Sequence, residues 1–213
     1  MGIVLLARHG ETDWNAERRF QGHADRPLNE RGRAQAEALA ARLERVRLAA
    51  VYASTLLRAR QTAEIVARPH GLEVRTRSDL KEVDVGSWSG LTTSEAAARY
   101  PDHFVRWRDK GRPGWHGGET YEQVRDRALG AVLEIGTLHV AEIALVVAHG
   151  GTIRALLATA LGIDVHEYRH VHPAEPNGGL SGLRVADGRL AGRLEPDETE
   201  RLLRRPGGAE ADL

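Results

Sequence analysis

The sequence predicts an α/β fold, doubly wound around a mostly parallel sheet. Three observations predict it. Ile3–Ala7 and Ala144–Ala148 are short, unbroken apolar runs bounded by polar residues or glycine, as in strands covered on both faces. The segments between them carry helical rather than alternating spacing. Strand-like and helix-like segments therefore alternate along the chain, which indicates layers of helix on a parallel sheet.

In chain order, Ile3–Ala7 runs straight into Arg8, His9 and Gly10. Ala36, Leu39, Leu43 and Val46 recur at spacings of three and four, lining one helix face. "AAVYAS" (Ala49–Ser54) reads as the next strand. Leu56–Val66 reads as a helix that Pro69 and Gly71 stop. Trp107–Gly118, rich in glycine, tryptophan and charge, reads as a loop or insertion near a site. Val124, Ala128, Ala131, Ile135 and Leu138 line a longer helix, and Ala144–Ala148 is the last parallel strand. "LRVADGRLAGRL" reads as a hairpin turning at Asp187-Gly188. No internal repeat is evident. Residues 1–205 read as one domain and 206–213 ("PGGAEADL") as a disordered tail.

A chain of 213 residues with 41% hydrophobic content suits one α/β domain with a substantial core. Lys+Arg and Asp+Glu both number 30, so the basic excess of a nucleic-acid-binding domain is missing. No apolar run is long enough to span a membrane. Ile3–Ala7 is too short for a signal-peptide core and lacks a basic start. There is no cysteine, which removes disulfides, thiolate metal sites and cysteine nucleophiles. The expectation is a cytoplasmic protein. Lysine occurs only at Lys81 and Lys110. That bias reflects genome composition, although arginine also suits phosphate recognition.

Ligands of open parallel sheets bind outside the carboxyl ends of the strands. Those ends deliver Arg8 and His9, then Arg58, then His149. Arginines with two histidines at one mouth suggest an anion, and phosphate best fits the guanidinium fork. The sequence holds no G-x-x-x-x-G-K-[ST] loop, no G-x-G-x-x-G after the first strand and no G-x-S-x-G elbow. The nucleophile candidates are then histidine and carboxylate. A histidine flanked by cations has a lowered pKa, so His9 beside Arg8 and opposite Arg58 is expected neutral and nucleophilic. Glu82, just before a glycine-rich turn, is the candidate proton donor. A phosphate dianion facing it raises its pKa.

"LLARHGETDWN", "YASTLLRARQTAEIV", "LKEVDVGSWSGLT" and "VVAHGGTIRALL" resemble, in order and spacing, the four signature blocks of the histidine phosphatase superfamily, the phosphoglycerate mutase-like family. The resemblance covers roughly residues 3–185. It implies a three-layer α/β/α sandwich and a covalent phosphohistidine mechanism with neither metal nor other cofactor. By the same resemblance, Arg8 and Arg58 hold phosphate, His9 is the nucleophile, Glu82 the proton donor and His149 a second histidine at the transferring phosphoryl group. Asn15 and Gln21 match positions that contact phosphate or substrate, with Gly22, Glu119 and Thr120 on the rim. "EVDVGSWSGLT" has the glycine–aromatic–glycine form of the phosphatase-like branch, and Trp107–Gly118 lacks the proline-rich insertion of glycolytic mutases. The implied activity is that of a histidine acid phosphatase-type phosphomonoesterase acting on a small phosphorylated metabolite. Phosphoglycerate mutase activity is the second reading, and a non-catalytic phospholigand-binding protein the third. Arg18 and Arg19 extend the site toward a second acidic group. Related folds often pair as homodimers.

Plainer readings stand beside these. Asn15 fits a turn or helix cap equally well. Arg58, His149 and Glu82 taken singly read as a solvated helix residue, a structural histidine and surface charge. Glu73 and Asp84 read as surface charge. His166, His170 and His172 have spacings that suit a metal, but with Glu167 as the one carboxylate among them they read better as rim or surface histidines. Trp88, Trp107 and Trp115 read as packing or pocket-wall aromatics, with Trp115 a candidate exposed substrate contact.

Overall fold

The computed structural model of the chain describes residues 1–110 and 115–204. The elements run β1 (Gly2–Arg8), α1 (Asp13–Ala16), α2 (Glu30–Leu43), β2 (Leu48–Ser54), α3 (Leu57–Ala67), β3 (Val74–Arg77), α4 (Thr93–Arg99) and α5 (Pro101–Lys110). They continue with α6 (Tyr121–Leu138), β4 (Ile143–Ala148), α7 (Gly150–Ala160), α8 (Val165–Val171), β5 (Leu180–Ala186), β6 (Arg189–Arg193) and α9 (Pro196–Arg204). The strand order is β3-β2-β4-β1-β5-β6. The four strands β3-β2-β4-β1 are parallel, and β5 and β6 add antiparallel to the β1 edge.

The unbroken apolar strands follow from coverage on both faces. Val4, Leu6, Ala144 and Val146 point into one core with Val124, Ala128 and Ile135 of α6 and Ile153 and Leu156 of α7. Ile3, Leu5, Leu145 and Val147 point into a second core with Leu39 and Leu43 of α2 and Ala59 and Val66 of α3. Alternate residues of one strand thus serve opposite layers, and the architecture is the α/β/α sandwich. Asn29 caps α2 by accepting the Gly32 N–H, and Thr120 caps α6 by accepting from Gln123. At the hairpin, Asp187 and Gly188 take φ of 51° and 68°, the paired positive values of a tight turn matched to strand twist.

Some boundaries differ from expectation. Val46 is buried but lies past the end of α2, because the chain turns there to enter β2. The first part of Trp107–Gly118 is not loop: α5 continues to Lys110, and Trp107 packs on Trp88. Residues 111–114 of that stretch, and the expected tail at 206–213, lie outside the described residues. Among the described residues no helix is long and apolar enough to cross a membrane.

Candidate active site

Strand register brings the two histidines together. Arg8 of β1 pairs with Ala148 of β4, so the next residues, His9 and His149, leave adjacent parallel strands side by side. The His9 N–H donates to the Ala148 carbonyl at 3.1 Å, and the imidazole centroids lie 5.1 Å apart. From β2, the chain turns into α3 and projects Arg58 from its first turn. Arg58 donates from Nε to His9 Nε2 at 3.3 Å, from Nη1 to the Ala24 carbonyl at 2.8 Å and from Nη2 to the Gly22 carbonyl at 2.9 Å.

These contacts assign the state of His9. Its Nδ1 lies 2.6 Å from the Gly10 carbonyl; a carbonyl only accepts, so Nδ1 carries the proton. Nε2 faces the donor Arg58 with its lone pair. Burial is the largest influence holding His9 well below the ordinary histidine pKa, followed by Arg58 and Arg8. The cations act in the direction expected from the sequence, but burial is a larger influence than either of them. His149 is held down in the same way, by burial first and then by Arg58, His9 and Arg8. Both of its ring nitrogens are buried with no partner among the described residues. Burial pulls the Arg58 guanidinium to about 10, against the pull of Glu82 and Asp25.

Arg8, His9, Asn15, Gln21, Gly22, Arg58 and Glu82 line one cavity of about 230 Å³. His149 packs beside His9 but is not among the lining residues, with none of its surface exposed. Glu82 Oε1 accepts the Val83 N–H at 2.9 Å, and Oε2 accepts the Gly151 N–H at 3.1 Å. A Cβ at position 151 would stand 2.5 Å from Glu82 Oε1, so glycine there is what lets the carboxylate reach the start of α7. Thr12, fully buried, sets the two amides. Its backbone N–H donates to Asn15 Oδ1 at 3.1 Å, and its hydroxyl lies 3.2 Å from that oxygen and 3.0 Å from Gln21 Oε1. With its acceptor side occupied, the Asn15 amide keeps its N–H groups for the cavity. Asn15 closes the capping box of α1 with Thr12 and also lines the pocket.

Two expected rim residues lie elsewhere. Glu119 and Thr120 are not among the lining residues. Glu119 pairs with Arg127, and Thr120 spends its hydroxyl on the α6 cap. Trp115 is buried and lines the cavity beside Phe20, Val85 and Tyr121, a pocket-wall aromatic rather than an exposed contact. Arg18 is exposed with φ of 57° and does not line the pocket. Arg19 does, but is bound to Glu17, Glu95 and the Gly90 carbonyl. The cation that sequence reasoning missed is Arg154. Its position four residues after Gly150 on α7 was the available signal, since that spacing shares a helix face. Arg154 Nη1 donates to the Tyr121 hydroxyl at 3.2 Å, and its Nε is buried without a partner. The three histidines of α8 and its end diverge. His166 packs on Tyr121 and Glu122, His170 is exposed and His172 stacks on Tyr168. Among the described residues no group of three His, Asp or Glu side chains could hold a metal ion.

Residues 4–195 match the family model of the histidine phosphatase superfamily (branch 1). Phosphoserine phosphatase 1 of Hydrogenobacter thermophilus is 36% identical over 166 residues, covering 78% of this chain and 79% of its own. Phosphoglycerate mutase-like protein 4 of Arabidopsis thaliana is 42% identical over 163 residues, 74% of this chain and 70% of its own. The solved mycobacterial glucosyl-3-phosphoglycerate phosphatase complexed with VO3 superposes with a TM-score of 0.80 at 31% identity, over 89% of this chain and 97% of that one.

Proposed function

Because the chain belongs to the histidine phosphatase superfamily, branch 1, we propose that it is a cytoplasmic phosphomonoesterase that hydrolyses a small phosphorylated metabolite through a phosphohistidine on His9, without a metal. The observation that carries the reading is the fixed tautomer of His9, whose Nε2 lone pair faces Arg58 in an arginine-lined cavity. In the first step Nε2 attacks phosphorus, the ester P–O bond breaks and Glu82 gives its proton to the leaving oxygen. In the second, Glu82 takes a proton from water as the water oxygen attacks phosphorus, the P–N bond breaks and inorganic phosphate leaves. Arg8, Arg58, Asn15 and Gln21 hold the phosphoryl oxygens. The depressed pKa of His9 keeps the nucleophile neutral into the acid range, which supports the acid-phosphatase type. Phosphate release that resists EDTA, with an acid-labile phosphoryl group trapped on the enzyme by quenching, is the expected result. Interconversion of phosphoglycerates with a bisphosphoglycerate primer and no phosphate release would replace hydrolysis by transfer.

The substrate class we assign is a phosphomonoester with a carboxylate nearby. Phosphoserine and glucosyl-3-phosphoglycerate, the substrates in two relatives' names, share that feature. Here Arg154 supports it: a cavity cation close enough to lower the Arg8 pKa, with no carboxylate in ion-pair contact among the described residues. Arg154→Met is expected to lower kcat/KM for phosphoserine about 10- to 100-fold, the worth of a charged hydrogen bond. An alkyl phosphate with no carboxylate should change little. Equal losses on both would place Arg154 on the phosphoryl group instead.

A further inference from the structure

Behind Glu82 lies a side chain that touches no part of the cavity. Arg127, on α6, donates from Nη1 to the carbonyls of Asp79 at 2.8 Å and Lys81 at 2.7 Å. Its Nη2 donates to the Glu82 carbonyl at 2.9 Å and to Glu119 Oε2 at 2.9 Å, and its Nε to Glu119 Oε1 at 2.9 Å. A guanidinium has five N–H donors, and all of them are spent here. Three hold the backbone that ends in Glu82, and two hold one carboxylate in a bidentate pair.

Glu119 is the other half of the device. Burial pushes its pKa up, but the hydrogen bonds from Arg127 and from the Asp84 N–H outweigh it, so Glu119 stays below the ordinary range and charged. Its Oε2 accepts the Asp84 N–H at 2.9 Å, and its own N–H donates to the Asp84 carbonyl at 2.9 Å. The backbone on both sides of Glu82 is therefore gripped, at 79–82 by Arg127 and at Asp84 by Glu119. Two further contacts converge on the same turn: Thr152 Oγ1 donates to the Lys81 carbonyl at 2.7 Å, and His23 Nε2 lies 2.8 Å from the Glu82 carbonyl. The segment 79–84 has no strand or α-helix of its own beyond a short 3-10 turn at Ser78–Leu80, so these side chains replace a regular ladder. A catalytic group on irregular backbone holds its geometry only if its support does.

We infer that Arg127 and Glu119 form a positioning clamp for Glu82, acting on proton transfer and not on phosphate binding. The inference rests on the role of Glu82 as proton donor proposed above. Its signature is dependence on the leaving group. An alkoxide needs a proton as the P–O bond breaks, whereas 2,4-dinitrophenolate leaves without one. In Arg127→Lys, three donors on a point charge cannot reproduce the five-donor fork. That variant is expected to lower kcat/KM for an alkyl phosphate about 30-fold, within the range general acids supply, and for 2,4-dinitrophenyl phosphate less than about 3-fold. Glu119→Gln, which keeps the shape and loses the bidentate acceptor, should show the same selectivity and carries the test should Arg127→Lys fail to fold. Glu82→Gln is the control and should show the selectivity most strongly, about 10³-fold against a few-fold. Equal losses on both esters in Glu82→Gln overturn the proton-donor reading itself. Selective loss in Glu82→Gln with uniform loss, or none, in the folded clamp variants overturns the clamp alone.

Discussion

His9→Ala is expected to lower turnover by about 10⁴-fold or more, the scale on which deleting a catalytic nucleophile acts. Of the phosphate ligands, Arg58 loses its His9 Nε2 acceptor but keeps the Ala24 and Gly22 carbonyls, and the others are held without the His9 side chain. Arg8 donates from Nη1 to the Glu175 carbonyl at 2.6 Å, and Asn15 and Gln21 are set through Thr12. Inorganic phosphate should therefore still bind as a competitive ligand while the phosphoenzyme disappears. The structural cost is modest: the Gly10 carbonyl loses its Nδ1–H partner, a loss of about 1–3 kcal/mol for a buried group. Rapid-quench labelling and steady-state phosphate release on one folded preparation make the check. Turnover within tenfold of the parent protein, or an acid-labile phosphoryl group still formed in His9→Ala, would sink the assignment.

Much of this centre was legible because local sequence determines it. Apolar runs ending in "RHG" and "HGG" place histidines at strand ends, and parallel register then makes them neighbours. What stayed hidden depends on partners distant in sequence. Arg127 reads as one more charge on α6, and its task appears only when three carbonyls 45 to 48 residues earlier fold against it. Glu119 is a carboxylate ahead of a helix cap, and nothing local says whether it faces substrate or Arg127. β3, "VRTR", is an edge strand with exposed arginine and threonine, so no buried face writes an apolar pattern into it. α5 was obscured by its tryptophan and charge, although Pro101 at its first position is a start signal. The aromatics there close a cluster in which Phe20, Trp88, Trp107 and Trp115 lie 5.0 to 6.1 Å apart, a convergence of segments that no single segment announces.

Arg58→Met is expected to cost about 10³-fold in kcat/KM, the scale of losing preorganised donors to a developing anion, and to change the pH profile as well. Arg58 is fully buried, and its three contacts tie the Gly22 and Ala24 carbonyls to His9. Gly22 sits at φ of 51°, where a Cβ would stand 2.6 Å from Val85 Cγ2. Losing the guanidinium thus frees a turn that brings Gln21 into the cavity. The pH effect has a definite sign. The acid limb of kcat/KM reports the free enzyme, and His9 attacks only when neutral, so activity falls as pH drops through the His9 pKa. That pKa is held well below ordinary values by burial first and by Arg58 second. Removing the cation moves the limb to higher pH, while the burial that remains keeps it below the unperturbed value of about 6.5. Arg58→Lys separates charge from geometry: the charge stays, so the limb should stay, but the fork is lost and kcat/KM still falls. A profile of kcat/KM against pH for the three proteins decides it. An unmoved limb in Arg58→Met would mean that Arg58 binds the phosphoryl group without tuning its neighbour, and unchanged kcat/KM would remove it from the site.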